Sequence, residues 1–392
     1  MSDDSMRVCL ILRADLYRPW PILRAIREVE MLRSQGKDVT VVSWIKDEGS
    51  SLPPLERREG IEIRRVFLVP PRSAPSRFMA FLKVNKLMAK QALDSRPDAL
   101  LVHDLEVLRA GVIAKNATGA PLLYHAHEDW PAMVSERSKL EARIFSFLER
   151  MYCRKVDNVY VPSEGIGRKY RDWGLDVTVQ YASKSLANLP KIADGTQKET
   201  RARLGLDEGD KIVGLAGSLG RSEALRNIFL AMKELPPSVK LLVVGGVEEK
   251  VKSAGLMADA EGVSDRVRFT GLLAPIPYME HVALLDVGLA LFIGKTLNVQ
   301  EVVPIKLFDY LAMGVPVIVS DFPAMRKIIG ECDCGLAADS EDPRSIAGAL
   351  RKIFQDDGLR TRLSQNARRA FEAKYCWEGQ QESLKASSRV FR

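Results

Sequence analysis

Between Glu301 and Asp321 the chain reads EVVPIKLFDYLAMGVPVIVSD, a helix delivered directly into a buried strand. Pro304 suits an early helical position, because the N–H it lacks would be unpaired there in any case, and Gly314 supplies the stop. Val315–Val319 is an apolar run without polar alternation, the pattern of a strand covered on both faces, as in parallel sheets. A parallel strand needs a crossover, so this segment commits its region to a layered α/β architecture. Glu301 stands just ahead of the helix and Asp309 lies eight residues on. Along the axis that separation is roughly 10 to 12 Å. The unpaired N–H groups of the helix start lie between them and suit phosphate. The spacing also fits an ordinary helix–strand unit whose acidic residues face water.

The first half of the chain repeats the same grammar. Met6–Leu12 reads as a buried strand, 21–34 as a helix capped by Gly36, and Val39–Trp44 as the next strand. Ligands of such sheets sit off the carboxyl ends of the strands. Arg13, Ala14, Asp15 and Tyr17 therefore stand at a mouth, although residues there often only cap the helix. Leu52–Gly60 is a turn-rich connection into the strand Ile61–Phe67. Arg77–Lys90 spaces Phe78, Phe81, Leu82, Leu87 and Met88 for one helical face, flanked by Arg77, Lys83, Lys86 and Lys90. That pattern fits a helix on an anionic membrane surface and equally one packed on its own sheet. Two further strands end in His103-Asp104 and in His125, His127 and Glu128, so three of the four histidines fall at strand carboxyl ends. Clustered histidine and carboxylate raise the question of a metal, but no third ligand is fixed by the spacing and none is expected. Lys139–Val156 is a long helix, and Asn158–Gly165 a short strand turning into another. Residues 189–203 are polar and turn-rich, the natural linker.

In the second half, Lys211–Gly220 is a strand running into a glycine loop whose small residues let backbone N–H groups approach a phosphate. It is neither a Walker A loop nor a Rossmann dinucleotide fingerprint. Val239–Gly246, Arg266–Gly271 and Leu284–Phe292 are further strands, and the 315–319 run completes five. Residues 342–371 hold two helices, and a last helix starts near Tyr375-Cys-Trp377.

At 392 residues, with 46% apolar and 28% charged residues, the chain has the length of two or three soluble domains. Its five scattered cysteines suggest neither a disulfide framework nor a zinc site, which points to a reducing cytoplasm. Met1–Asp4 is polar and acidic, unlike a secretory leader, and no apolar run is long enough to span a bilayer. The formal charge of +7 fits phosphate-bearing ligands or an anionic membrane surface as well as a merely solvated one. Nucleic acid is not expected, since no basic–aromatic stacking motif occurs.

Glu301-x7-Asp309 enclosing Pro304 and Lys306, followed by YLAMGVPVIVSD, resembles the donor-site signature of retaining GT-B glycosyltransferases of family 4. That family usually has a second Glu where Asp309 stands. The strand ends at His103-Asp104 and YHAHE are similar to the family's His-Asp and Tyr-Asp-Ala-His-Glu, with His125 replacing an Asp. The resemblance implies a GT-B fold, two Rossmann-like domains with parallel sheets facing across a cleft. It divides the chain into an acceptor-side domain at 1–189, a nucleotide-sugar domain at 204–374, and a helix at 375–392 crossing back to the first domain. It implies sugar transfer from a nucleotide diphosphate sugar to an acceptor hydroxyl, lipid-linked or on a polysaccharide, with retention. No metal or other cofactor is implied.

By the same resemblance Glu301 contacts the transferred sugar, Asp309 the ribose hydroxyls, and His127 lies beside the donor sugar with Glu128 orienting its neighbours. Lys306, Val302 and Val303 join the donor site. Gly217 and Ser218 fall in the phosphate loop, but Ser218 replaces its Arg and Glu223-Ala224 stands near its Lys-Gly, so Arg221 or Arg226 would supply the cation from a shifted place, Arg221 being nearer the strand end. The loop Leu272–Tyr278 meets the base. Arg13, Asp15 and His103 fall on the acceptor side. A nucleotide-sugar epimerase of the same fold and a non-catalytic nucleotide-sugar-binding module are the alternatives.

Overall fold

The computed structural model describes residues 5–17, 22–47, 49–71, 73–135, 137–192, 194–220, 223–301 and 303–392. Pro21, Arg221, Val302 and the Met1–Asp4 segment lie outside the described residues. The chain divides into two compact units, Met1–Ala182 with Gln381–Arg392, and Ser183–Gln380.

The first unit is built on β1 (Arg7–Leu12), β2 (Asp38–Ile45), β3 (Leu55–Arg58), β4 (Ile61–Phe67), β5 (Ala99–His103), β6 (Leu122–His125), β7 (Asn158–Val161) and β8 (Val177–Val179). They form one sheet in the order β3-β4-β2-β1-β5-β6-β7-β8, parallel except for the β3–β4 pair. The order reverses between β1 and β5, which opens a crevice at their carboxyl ends. β3 is a correction to the turn-rich reading of 52–60. Glu59 and Gly60 both take positive φ, 51° and 74°, the geometry of a two-residue hairpin turn. The helix expected over 21–34 covers Leu23–Ser34, with Gly36 at φ 77° just past its end. The tail of the chain is fastened to this unit: Gln35 Nε2 donates to the Phe391 carbonyl at 2.7 Å, and Asn158 Nδ2 to that of Ser387 at 3.2 Å.

The second unit is built on β9 (Lys211–Ala216), β10 (Val239–Val244), β11 (Val267–Phe269), β12 (Val287–Ala290), β13 (Val317–Ser320) and β14 (Gly335–Ala338). All pairs are parallel in the order β11-β10-β9-β12-β13-β14. The edge strand β14 makes six where five are expected; its GLAA sequence is too small and too half-exposed to announce a strand. The polar stretch read as a linker is helical over Asp194–Arg203, and the loop expected at Leu272–Tyr278 runs from Pro275 into the helix Pro275–Val282.

The key helix covers Ile305–Ala312, with Pro304 at its N-cap rather than inside it and Gly314 at φ 67° just beyond its end. Its Tyr310 is fully buried against the sheet and ties two strands together. The hydroxyl accepts from the Ala216 amide of β9 at 2.8 Å and donates to the Leu289 carbonyl of β12 at 3.1 Å. The ring lies on Gly288: a Cβ there would stand 2.5 Å from Tyr310 Cγ. Gly288→Ala therefore forces the helix off the sheet, with an expected loss of about 1–3 kcal/mol in urea unfolding. Gly348, with nothing within 4 Å of an added Cβ and mid-helix in Pro343–Gln355, is the control. Gly348→Ala is expected to gain about 0.5–1 kcal/mol; equal effects at both positions would contradict the packing.

Candidate active site

The carboxyl ends of β9 and β12 form the switch point of the second sheet, and the 305–312 helix brings its functional side chains there. After β9 the chain turns at Gly217, φ 102°, and at Gly245, after β10, φ is 104°. A Cβ on Gly245 would stand 2.8 Å from the Gly217 carbonyl oxygen, so two glycine turns pass in backbone contact. Ser218 is exposed at the loop tip. Lys306 Cε would lie 3.4 Å from a Cβ on Gly217, which puts the ammonium beside this loop. There it pairs with Glu223 at 2.6 Å, both side chains buried. Pro304 bears no side-chain cap, so the helix start is not closed by its own capping group. Glu301 ends the short helix Leu297–Glu301 immediately upstream, half-buried, and Val303 is buried behind it.

Asp309 is buried and engaged within the unit. It accepts from the Lys184 ammonium and from the Tyr278 hydroxyl, the latter at 2.9 Å. Burial, and then Asp309 beside it, push the Tyr278 phenol well above its ordinary pKa. Lys184 is a functional candidate that the sequence does not announce, and Tyr278, expected only at the end of the loop that meets the base, is a second partner of Asp309. Lys184 lies 125 residues from Asp309, and no local spacing connects them.

In the first unit, the ends of β5, β6 and β7 stack a ladder of rings. His103 and His125 are parallel at 4.4 Å between centroids, and Tyr160 continues the stack beyond His125 at 4.4 Å. His127, just past β6, reaches back so that its Nε2 lies 3.0 Å from His103 Nδ1. Behind them Glu28, fully buried on the 23–34 helix, lies 3.0 Å from His103 Nε2 and 3.3 Å from His125 Nδ1. Arg24, one turn earlier, is buried and donates to the Gln180 carbonyl at 2.8 Å. Burial, followed by His103, Arg24 and His127, holds the His125 imidazole well below its ordinary pKa. His127 is lowered likewise, by burial and then Arg24, His103 and Arg13. Glu28, His103 and His125 bring ligating atoms within 4.8 Å of one another, a geometry a cation could use. However, both ring nitrogens of His103 already lie at hydrogen-bond distance from protein groups, and Arg24 supplies positive charge next to the carboxylate.

Of the three residues expected on the acceptor side, only Arg13 has an open setting. It lies half-exposed at the β1–β5 crevice, paired with Asp104 at 2.7 Å and Glu106 at 3.2 Å. Asp104 takes φ 75°, a strained backbone for a residue with a side chain, at the end of β5. Arg13 lines a cavity of about 800 Å³ with Trp44, Lys46 and Leu52 at the ends of β1 and β2. Asp15 is buried: its carboxylate accepts from Arg65 at 2.6 Å and from the Tyr17 amide at 3.0 Å. His103 is likewise buried, behind His127 rather than at the mouth.

The two halves match two family profiles. The one described as Glycosyl transferases group 1 aligns with residues 196–370, and the one described as Glycosyl transferase 4-like domain with residues 24–180. The D-inositol 3-phosphate glycosyltransferase of Corynebacterium jeikeium is 28% identical over 50% of this chain and 48% of its own length. The match thus spans about half of that relative. The phosphatidyl-myo-inositol mannosyltransferase of Mycobacterium leprae is 23% identical over 85% of this chain and 83% of its own. Among solved structures, Anabaena HepE in complex with UDP superposes with a TM-score of 0.74 at 16% identity, covering 97% of this chain and 100% of that one.

The depressed His125 gives a stability signature with a fixed sign. Above about pH 6.5 the imidazole is neutral in both states; below it the unfolded chain binds a proton that the buried ring refuses. Stability should therefore fall with acidification from about pH 6.5 downward, with up to ~1.4 kcal/mol per pH unit from this group. Urea unfolding between pH 5 and 8 measures it. His125→Phe, which keeps the stack but cannot titrate, should make that limb shallower, with His127 supplying the remainder; an unchanged slope would contradict the assignment.

Proposed function

The chain belongs to the group 1 glycosyltransferases of GT-B fold, and from that premise we propose that it transfers a sugar from a nucleotide diphosphate sugar to an acceptor hydroxyl, with retention of anomeric configuration. The observation that carries this reading is the start of the 305–312 helix, set beside the Gly217 turn at the switch point of a parallel sheet. Such a start is a ready anion site, since its amides and dipole favour a diphosphate. In the transition state a pyrophosphate departs and the sugar gains oxocarbenium character. In this reading the helix amides and Lys306 stabilise the leaving group, which requires Lys306 to exchange Glu223 for phosphate. Glu301 holds the sugar hydroxyls, Asp309 the ribose, and His127 stands by the sugar. Gly217 and Ser218 line the phosphate loop, with Val303 as the apolar backing. Arg221 and Val302 complete the set on the strength of sequence alone. No metal is required, because fixed dipoles and a basic side chain meet the leaving-group charge. UDP in the HepE complex supports a uridine nucleotide as the first donor to try.

An anionic membrane surface is the second element of the proposal. The 74–94 helix buries Phe81, Val84 and Met88 and exposes Phe78, Met79 and Leu87 beside Lys83, Lys86 and Lys90, so the single apolar face expected for it is split. The stronger stripe is on Lys139–Cys153, where Leu140, Ile144, Phe147 and Met151 point outward at spacings of four, three and four. Leu140 is 70% and Phe147 68% exposed, with Arg143, Arg150 and Arg154 alongside. Arg77 bonds Glu141 at 2.7 Å, which joins the two helices into one basic, apolar surface. That combination fits insertion among anionic headgroups. It suits the lipid-linked acceptor implied by the mannosyltransferase relative. No helix among the described residues is long and apolar enough to cross a membrane. All five cysteines are free, which supports a reducing, cytoplasmic side.

Incubation with UDP- and GDP-sugars, with and without lipid-linked acceptors, tests the reaction. Acceptor-dependent nucleotide release is expected; acceptor-free isomerisation would make the protein an epimerase, and binding without turnover a binding module. Glu301→Ala should abolish turnover while the affinity for free nucleotide stays within about twofold, because the free nucleotide lacks the sugar that Glu301 holds. Equal loss of both would contradict its role.

Sedimentation with vesicles tests the surface. Phe147→Ser with Leu140→Ser should weaken binding to phosphatidylglycerol vesicles at least ~10-fold, by removing buried apolar area. Binding that survives these changes would place the contact elsewhere.

A further inference from the structure

His127 does not stand alone. Its Nε2 faces His103 Nδ1 at 3.0 Å, and His103 Nε2 faces Glu28 Oε2 at 3.0 Å, a continuous chain from a partly exposed ring to a carboxylate buried in the unit. We propose that Glu28 and His103 are positioning residues that set the tautomer of His127, so that Nδ1 of His127 is the bare nitrogen offered to a substrate hydroxyl. The inference rests on the placement of His127 beside the transferred sugar.

An ionised carboxylate only accepts, so the His103 nitrogen facing Glu28 carries a proton. A neutral His103 then has only a lone pair at Nδ1. The contact with His127 holds only if His127 Nε2 is the donor, which leaves His127 Nδ1 without its proton. That nitrogen has no hydrogen-bond partner among the described residues. Around the chain of bonds, Arg24 lies on the same helix as Glu28, Gln180 donates to Glu28 Oε1 at 3.4 Å, and Arg13 bears on His127 from the loop after β1. Arg24 and Arg13 disfavour a resident positive charge, so the ring is held neutral and able to accept. When His127 Nδ1 takes a proton from a bound hydroxyl, its Nε2 proton can pass to His103 Nδ1, and the positive charge then rests beside Glu28. No covalent bond to the protein forms.

A carboxylate on the core face of the 23–34 helix is otherwise costly. A cation at Glu28, His103 and His125 would also use it, but needs the His103 Nε2 lone pair that the proton occupies and a place next to Arg24. The stacked His125 covers one face of the His103 ring.

Nitrogen-15 histidine spectra of the full chain, with His127 assigned by its loss in His127→Ala, test the tautomer without reference to activity. The expected result is His127 protonated at Nε2 and bare at Nδ1, becoming a mixture in Glu28→Gln. Kinetically, Glu28→Gln should lower kcat by roughly tenfold or more with donor KM within about twofold, and Glu28→Asp should restore part of it. The reverse tautomer in the unaltered protein would overturn the proposal, whether or not the variants fold. So would an unchanged kcat in a Glu28→Gln protein with native circular dichroism. Zinc chloride at one equivalent, if it shifted the His103 and His125 resonances and raised activity, would make the cluster a metal site and overturn it equally. Full transfer by His127→Ala, by contrast, would contradict only the role of His127 in sugar transfer and leave the tautomer result standing.

Discussion

The Tyr310 hydroxyl, bonded at once to β9 and β12, is the contact on which the candidate donor site depends. It seats the 305–312 helix over the place where the strand order reverses. Lys306 and Asp309 follow from that seating, since both lie within a turn of the anchored residue. Gly288 permits it by having no side chain where the ring must lie. A chain of this kind can vary its loops widely, but the helix cannot move by the width of a methyl group without withdrawing its polar side chains from the sheet's end.

The charges brought there are neutralised by protein partners. Lys306 has Glu223 and Asp309 has Lys184, in surroundings where an unpaired charge would be strongly destabilising. The first unit solves the same problem differently, with imidazoles linked in a chain ending at one carboxylate. Lys306 reaches the Gly217 loop from another element.

The central strands were legible because parallel strands buried on both faces leave unbroken apolar runs, as in Leu100–Val102 or Val317–Val319. Of the four edge strands, only β11 was. β3 carries Glu56, Arg57 and Arg58, and such charges protect an edge while disguising it as a loop. At the candidate sites, the Glu301–Asp309 spacing was visible, but the partners of Asp309 were not, because Lys184 and Tyr278 approach from distant parts of the chain. Glu28 did leave a signal: with Ala25, Val29 and Leu32 it falls on the apolar face of its helix, where a carboxylate needs a buried partner. The stripe Leu140, Ile144, Phe147 and Met151 was equally plain in sequence, but only exposure shows which way it faces.

The account turns on one location for the donor's diphosphate. A crystal structure of the chain soaked with UDP measures it directly. The account predicts phosphate density within hydrogen-bond reach of the first-turn amides of the 305–312 helix and of the Gly217 turn, with Lys306 swung from Glu223 toward it. Density for the diphosphate at any other strand end, with the Lys306–Glu223 pair intact, would contradict it.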